Sequence, residues 1–262
     1  SVFGVLAILA FFGCFALTKE RVKQVAPTKG SLSVDFKTLL KNDQWLVVAL
    51  LFLVLLVPIV LRGASQVYYV KWFIGDAELI AAFLTTGTFC QMIGAGFASS
   101  LTKKLGKVPA YILVQSIIVV GSIALYFVSS SNLYAIFILF GVVNFFVQMG
   151  APILFTMAAD TVEYGELKTG RRVTGLVFSG ALFALKLGVA VGGWLIGLIL
   201  AYYGYDGKAE AQSPEAIQGI VLSLTLFPAI GHFLLIPIVS FYKLNKKRCD
   251  EIRAELDQKT DS

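Results

Sequence analysis

Long apolar runs, interrupted at short intervals by charged or turn-forming residues, set the pattern of this chain. Complete runs cover residues 44–73, 80–101, 108–129, 132–158, 172–203 and 216–242, and a shorter one, Val2 to Leu17, precedes them. A hydrocarbon core about 30 Å thick takes about 20 helical residues at 1.5 Å each. Each of the six long runs therefore predicts a membrane-spanning helix. The first run follows no basic segment, so it reads as the end of an earlier helix and not as a signal peptide. The expected organisation is the end of one transmembrane helix (1–17), a middle loop (18–43), a six-helix domain (44–243) and a tail (244–262).

The positive charges orient these spans. Lys19, Arg21, Lys23, Lys29, Lys37 and Lys41 lie in the 18–43 loop, Lys103, Lys104 and Lys107 in the next basic loop, and Lys168, Arg171 and Arg172 in the segment 159–172. The tail adds Lys243, Lys246, Lys247, Arg248, Arg253 and Lys259, whereas the alternate loops are nearly free of Lys and Arg. The positive-inside rule places the rich loops and the C-terminus in the cytoplasm. Seven segments ending inside must begin outside, so the chain reads as the back half of something larger.

Composition adds what is excluded. Of 262 residues 57% are hydrophobic and 15% charged, and the mean hydropathy is +0.80. A soluble domain carries about 25% charge, so the excess apolar surface must face lipid. The net charge of +6 is accounted for by topology, which removes the case for nucleic acid. Cys14, Cys90 and Cys249 have no metal-ligand spacing, and no nucleophile–base set or phosphate loop can be assembled, so no enzyme is expected. Glycines at 87, 94, 96, 188, 192, 193 and 197 fall where small residues let helices approach in lipid.

Polar residues inside the spans are the candidates for function. Lys186 lies 14 residues beyond Arg172, near mid-bilayer, and shares a helical face with Ser179, Phe183 and Ala190. It reads either as a cavity residue facing a carboxylate or as half of a structural ion pair. All 16 Asp and Glu residues lie in loops, span ends or the tail, so no intramembrane carboxylate is available to it here. Arg62, with Gln66 and Tyr69 on about the same face, reads as cavity lining or as an anchor. Asn144 and Gln148, and Thr85, Thr88 and Gln91, form milder stripes that suit a neutral polyhydroxylated substrate or interhelical hydrogen bonds. His232 stands alone and reads as structural.

The stretch Asp160-Thr-Val-Glu-Tyr-Gly-Glu-Leu-Lys-Thr-Gly-Arg-Arg172 runs directly into the span bearing Lys186. It resembles the loop between helices 10 and 11 of the glycoside–pentoside–hexuronide:cation symporters, the melibiose-carrier family of the major facilitator superfamily. Ile74-Gly75-Asp76-Ala77-Glu78-Leu79 resembles the outer end of that family's helix 7, and Ser179 to Gly188 its helix 11. The pattern is nearest the xyloside and glucuronide carriers. Helix count, spacing and loop lengths group the six spans as three plus three, 44–129 and 132–242, and the resemblance implies an all-α major facilitator fold with this chain as its C-terminal half and the end of helix 6 before it. It implies Lys186 as the residue coupling sugar to cation, and Asp160, Glu163, Tyr164, Arg171 and Arg172 as an inner gate. The cation-binding acids are expected in an N-terminal six-helix half, the partner absent from this sequence. Arg62 matches no family position.

The expected function is cation-coupled (Na⁺ or H⁺) symport of a glycoside, pentoside or hexuronide by alternating access, in a bacterial inner membrane. No cofactor beyond the coupling ion is expected, and membrane lipid is the remaining partner. The alternatives are a non-transporting scaffold or half-protein, and a lipid-type cargo on the same fold.

Overall fold

The computed structural model describes residues 2–19 and 32–260. The chain divides into two compact units, Ser1–Gly30 and Ser31–Ser262. In the first, Val2–Leu17 forms α1, apolar along its whole length. Arg21, Lys23 and Lys29 of the basic loop lie outside the described residues.

The second unit is helical. It comprises α2 (Leu32–Leu40), α3 (Asp43–Tyr68, continued by a widened turn Tyr69–Ile74), α4 (Leu79–Leu105) and α5 (Lys107–Tyr126). Then come α6 (Leu133–Thr169), α7 (Thr174–Tyr202), α8 (Pro214–Leu224), α9 (Leu226–Val239) and α10 (Lys246–Thr260). Counting α8 and α9 as one, six helices among the described residues are long and apolar enough to cross a membrane. The protein is an all-α integral membrane protein.

Local signals set the ends. The Asn42 side chain accepts from the Trp45 N–H at 2.9 Å to start α3, and the Ser213 hydroxyl accepts from Ala216 N–H at 3.1 Å to start α8. Gly170 ends α6 at φ +70°, a conformation that an L side chain adopts at a cost. It donates back to the Glu166 carbonyl at 2.8 Å.

Three boundaries differ from the sequence reading. The span expected at 132–158 continues as helix to Thr169, so most of the supposed 159–172 loop is helical. Hydropathy falls where charges begin, but the helical periodicity persists: Asp160, Thr161, Val162 and Gly165 are buried. The span expected at 216–242 is interrupted at Thr225, with φ −115° and ψ −83°. The segment given only as a tail, 244–262, forms α10 and packs against α6, burying Cys249 and Ile252.

Helix pairing follows the three-plus-three expectation. The main contacts are α3 with α7, α4 with α6, α5 with α9, α5 with α6 and α3 with α9. Exchanging α3, α4 and α5 for α6, α7 and α8–α9 returns the same pairs, as an inverted repeat requires. The closest approaches obey the same exchange. A Cβ on Gly94 of α4 would lie 1.9 Å from the Phe145 carbonyl oxygen of α6, and one on Gly188 of α7 would lie 2.3 Å from that of Leu53 in α3. Gly87 and Gly192 are packed too, whereas Gly96, Gly193 and Gly197 face open space, so only part of the glycine set predicted to pack does so.

Gly94→Leu is therefore expected to force α4 off α6 and destabilise the domain by about 1–3 kcal/mol, the usual cost of overpacking. Gly96→Leu, two residues on and unobstructed, is the control. Thermal melting of both in detergent checks this, and equal melting temperatures would contradict it.

Candidate functional site

The rotation of α7 decides where Lys186 points. Val177, Ala181, Ala184, Gly188 and Gly192 form its buried stripe, and Gly180, Gly188 and Gly192 sit against Trp45, Leu53 and Val60 of α3. Trp45 Nε1 donates to the Val177 carbonyl at 3.1 Å and fixes the register. Lys186 lies two residues from both Ala184 and Gly188, about 200° around the helix, and is exposed on the face away from α3. Ser179 and Phe183 share that exposed face. Among the described residues no carboxylate pairs with Lys186, as every ion pair lies elsewhere.

The other candidates separate into three groups. Gln148 on α6 and Thr88 on α4 are exposed, with the Thr88 hydroxyl turned back to the Leu84 carbonyl at 2.9 Å. Gln91 Nε2 donates to Asn144 Oδ1 at 2.7 Å, and Asn144 Nδ2 donates to the Phe140 carbonyl at 2.8 Å. Of the two readings of that pair, the interhelical bond is the one this structure realises. Gln66 is half-buried. Tyr69 is fully buried in a ring cluster with Phe73 and Phe83, at 4.8 and 6.1 Å, and lines no opening.

Arg62 is 3% exposed. Its Nε donates to the Leu224 carbonyl at 3.2 Å and its Nη2 to the Ser122 hydroxyl at 2.6 Å. It lies inside the bundle, not on a lining face. His232 is also fully buried, with Nδ1 2.7 Å from Gln115 Oε1.

Of the predicted gate residues, Asp160, Glu163 and Tyr164 lie on α6, and Arg171 and Arg172 in the short loop between α6 and α7. Asp160, 5% exposed, pairs with Lys107 Nζ at the start of α5 and accepts from the Tyr242 hydroxyl at 2.8 Å. Burial, and then the Asp160 charge, push the Tyr242 phenol well above its usual range, so it stays a donor. Glu163 accepts from Arg253 Nε of α10 at 2.8 Å, which raises the Arg253 guanidinium still further. Tyr164 donates to Asp43 at 2.9 Å, Arg171 pairs with Asp35 at 2.9 Å, and Arg172 pairs with Glu166 at 2.7 Å. Together these tie the basic ends of α3, α5, α6 and α10, next to a cavity of about 490 Å³ lined by Gln44, Tyr164, Lys243, Lys247, Arg248 and Glu251. The roles of Lys107, Tyr242 and Arg253 were missed in the sequence because their partners lie 53, 82 and 90 residues away.

Burial ranks these contacts. Asp160→Ala leaves the Tyr242 hydroxyl and the half-exposed Lys107 only their 3.3 Å bonds to the Met157 and Thr156 carbonyls, and is expected to cost about 1–3 kcal/mol. Arg253→Ala breaks a pair with one exposed partner and is expected to cost under about 1 kcal/mol. Melting curves of the two variants in detergent give the order; a larger loss for Arg253→Ala would reverse it.

Residues 1–246 match the protein family described as MFS/sugar transport protein. The inner membrane symporter YicJ of Escherichia coli K12 is 37% identical over 98% of this chain and 56% of its own length. The isoprimeverose transporter of Lactiplantibacillus pentosus is 30% identical over 98% of the chain and 54% of its own length. The glucuronide carrier protein homolog of E. coli K12 is 27% identical over 98% and 56%. The chain thus spans about half the length of the curated relatives it matches. With residues 1–246 covered by the family pattern, the chain belongs to the MFS/sugar transport proteins, which are carriers and not enzymes.

Proposed function

We propose that this chain forms the C-terminal six-helix half of a cation-coupled symporter for a glycoside, pentoside or hexuronide, working by alternating access in a bacterial inner membrane. The observation that carries the reading is Lys186. A cation at mid-membrane depth, turned away from its own bundle and lacking a carboxylate there, is costly unless another element supplies the partner. Desolvated alone, an ammonium is poorly tolerated; facing a polar cavity with carboxylates, it is useful.

The distribution of burial supports a facing half. In an apolar 18-residue stretch of α4 and of α7 only 17% and 22% of residues are buried, against 44–61% in the other four spans. Those two helices are the ones whose outer faces a second six-helix unit would cover, with substrate and coupling ion between the units. Gln148, Thr88, Ser179 and Phe183 then offer an amide, hydroxyls and a ring to a sugar. Asp160, Glu163, Tyr164, Arg171 and Arg172 brace the basic end, which we assign to the cytoplasm by the positive-inside rule. The relatives named as symporters and sugar carriers point the same way.

In the complete carrier, Lys186→Ala is expected to abolish uphill accumulation of labelled glycoside while the protein still reaches the membrane. Accumulation assays in vesicles with an imposed Na⁺ or H⁺ gradient measure it. Undiminished uphill uptake would remove Lys186 from the coupling mechanism.

A further inference from the structure

The junction between α8 and α9 is a helix interruption buried in the bundle. Pro228 has no N–H, so the Leu224 carbonyl four residues before it loses its ordinary helical donor. The chain turns at Thr225, whose N–H closes on the Val221 and Leu222 carbonyls, and the Leu224 carbonyl at the end of α8 is left beyond that cap. In hydrocarbon, with no water to substitute, such a carbonyl needs another donor. A helix C-terminus also carries partial negative charge. Interrupted helices with exposed carbonyl ends are the means by which membrane carriers hold small cations.

Here a side chain stands in that position. Arg62 Nε donates to the Leu224 carbonyl and Nη2 to Ser122, both buried. The guanidinium cannot shed its proton, and among the described residues no carboxylate pairs with it. His232 of α9 is a further buried polar group of the bundle. Gln115 Oε1 can only accept, so His232 Nδ1 donates to it and His232 Nε2 is a bare lone pair. That atom and Arg62 Nη1–H, an acceptor and a donor, are both without protein partners, and Arg62 lies within electrostatic reach of His232. The cation is therefore held by a helix end and a hydroxyl, not by an acid.

We propose that the α8–α9 interruption is an intramembrane site for a monovalent cation of guanidinium type, permanently occupied by the tethered side chain of Arg62. The occupant locks the middle of α3 to the break in α8–α9, an attachment reinforced where Pro58 of α3 packs on Gly231 of α9. It also denies this helix end to a free coupling ion, which must bind elsewhere. The site lies within the bundle, so this inference stands whether or not the transport reading does.

Chemical rescue tests it. Arg62→Ala, purified in detergent, is expected to lose about 5–10 °C in melting temperature. Millimolar methylguanidinium, too dilute to denature, should recover most of that loss while leaving the unsubstituted protein unchanged. Recovery by Na⁺ or K⁺ at the same concentration but not by methylguanidinium would overturn the guanidinium specificity, and recovery by none would overturn the site. If Arg62→Ala does not fold, Pro228→Ala is combined with it: an N–H at position 228 gives the Leu224 carbonyl its helical donor, and folding should return. A double variant as unfolded as the single one would overturn the proposal. So would an Arg62→Met variant as stable as the parent, because an apolar chain of similar length fills the space without the charge.

Discussion

The structure depends on two places where one helix backbone lies directly on another. At Gly94 and Gly188 there is no room for a Cβ, because the carbonyl oxygens of Phe145 and Leu53 occupy the space. Between helices immersed in hydrocarbon, the hydrophobic effect supplies little attraction, and close van der Waals packing has to do the work. A contact this tight also fixes rotation. With Gly188 down on α3, and Trp45 holding the Val177 carbonyl, Lys186 can only point outward. The direction of the one mid-membrane lysine is thus a consequence of a glycine two residues away.

The same scarcity of water organises the polar groups. Gln91 and Asn144 satisfy each other across α4 and α6, and hydroxyls such as Thr88, Ser65 and Thr225 return to carbonyls one turn back. At the basic end, where charges can be partly solvated, Asp160 gathers a lysine and a tyrosine from two other segments. That bracing joins the ends of α5 and α6 to the segment after α9, so these basic ends are held while the outer faces of α4 and α7 stay exposed. Two kinds of interaction therefore divide the labour: glycine contacts set the helix rotations in the membrane, and ion pairs hold the ends outside it.

Much of this was legible in the sequence. Six spans, their order and the alternation of charge follow from hydropathy and from Lys and Arg positions alone. The three-plus-three pairing was expected from count and spacing, and the symmetric glycine contacts realise it. What could not be read was which glycines face a helix and which face open space: Gly94 and Gly96 differ by two residues and by the whole width of the helix. Long-range partners were equally hidden. Nothing in the local pattern says that Arg253 meets Glu163, or that the charged segment after Ala159 stays helical, because hydropathy reports burial in lipid and not helical periodicity.

Arg62 shows where reasoning residue by residue runs short. An arginine in an apolar span suggests a cavity when its own helix is read alone, since a buried charge needs a partner and every acid in the chain sits at an end or in a loop. The compensation came from the backbone of another helix, 162 residues away. Its signal was present as Pro228, which deprives Leu224 of a donor and so creates an acceptor inside the membrane. A proline and an arginine on different spans form one feature: the first frees a carbonyl, the second donates to it. Intramembrane cations without carboxylates should be read against the prolines of neighbouring helices before a ligand is assigned to them.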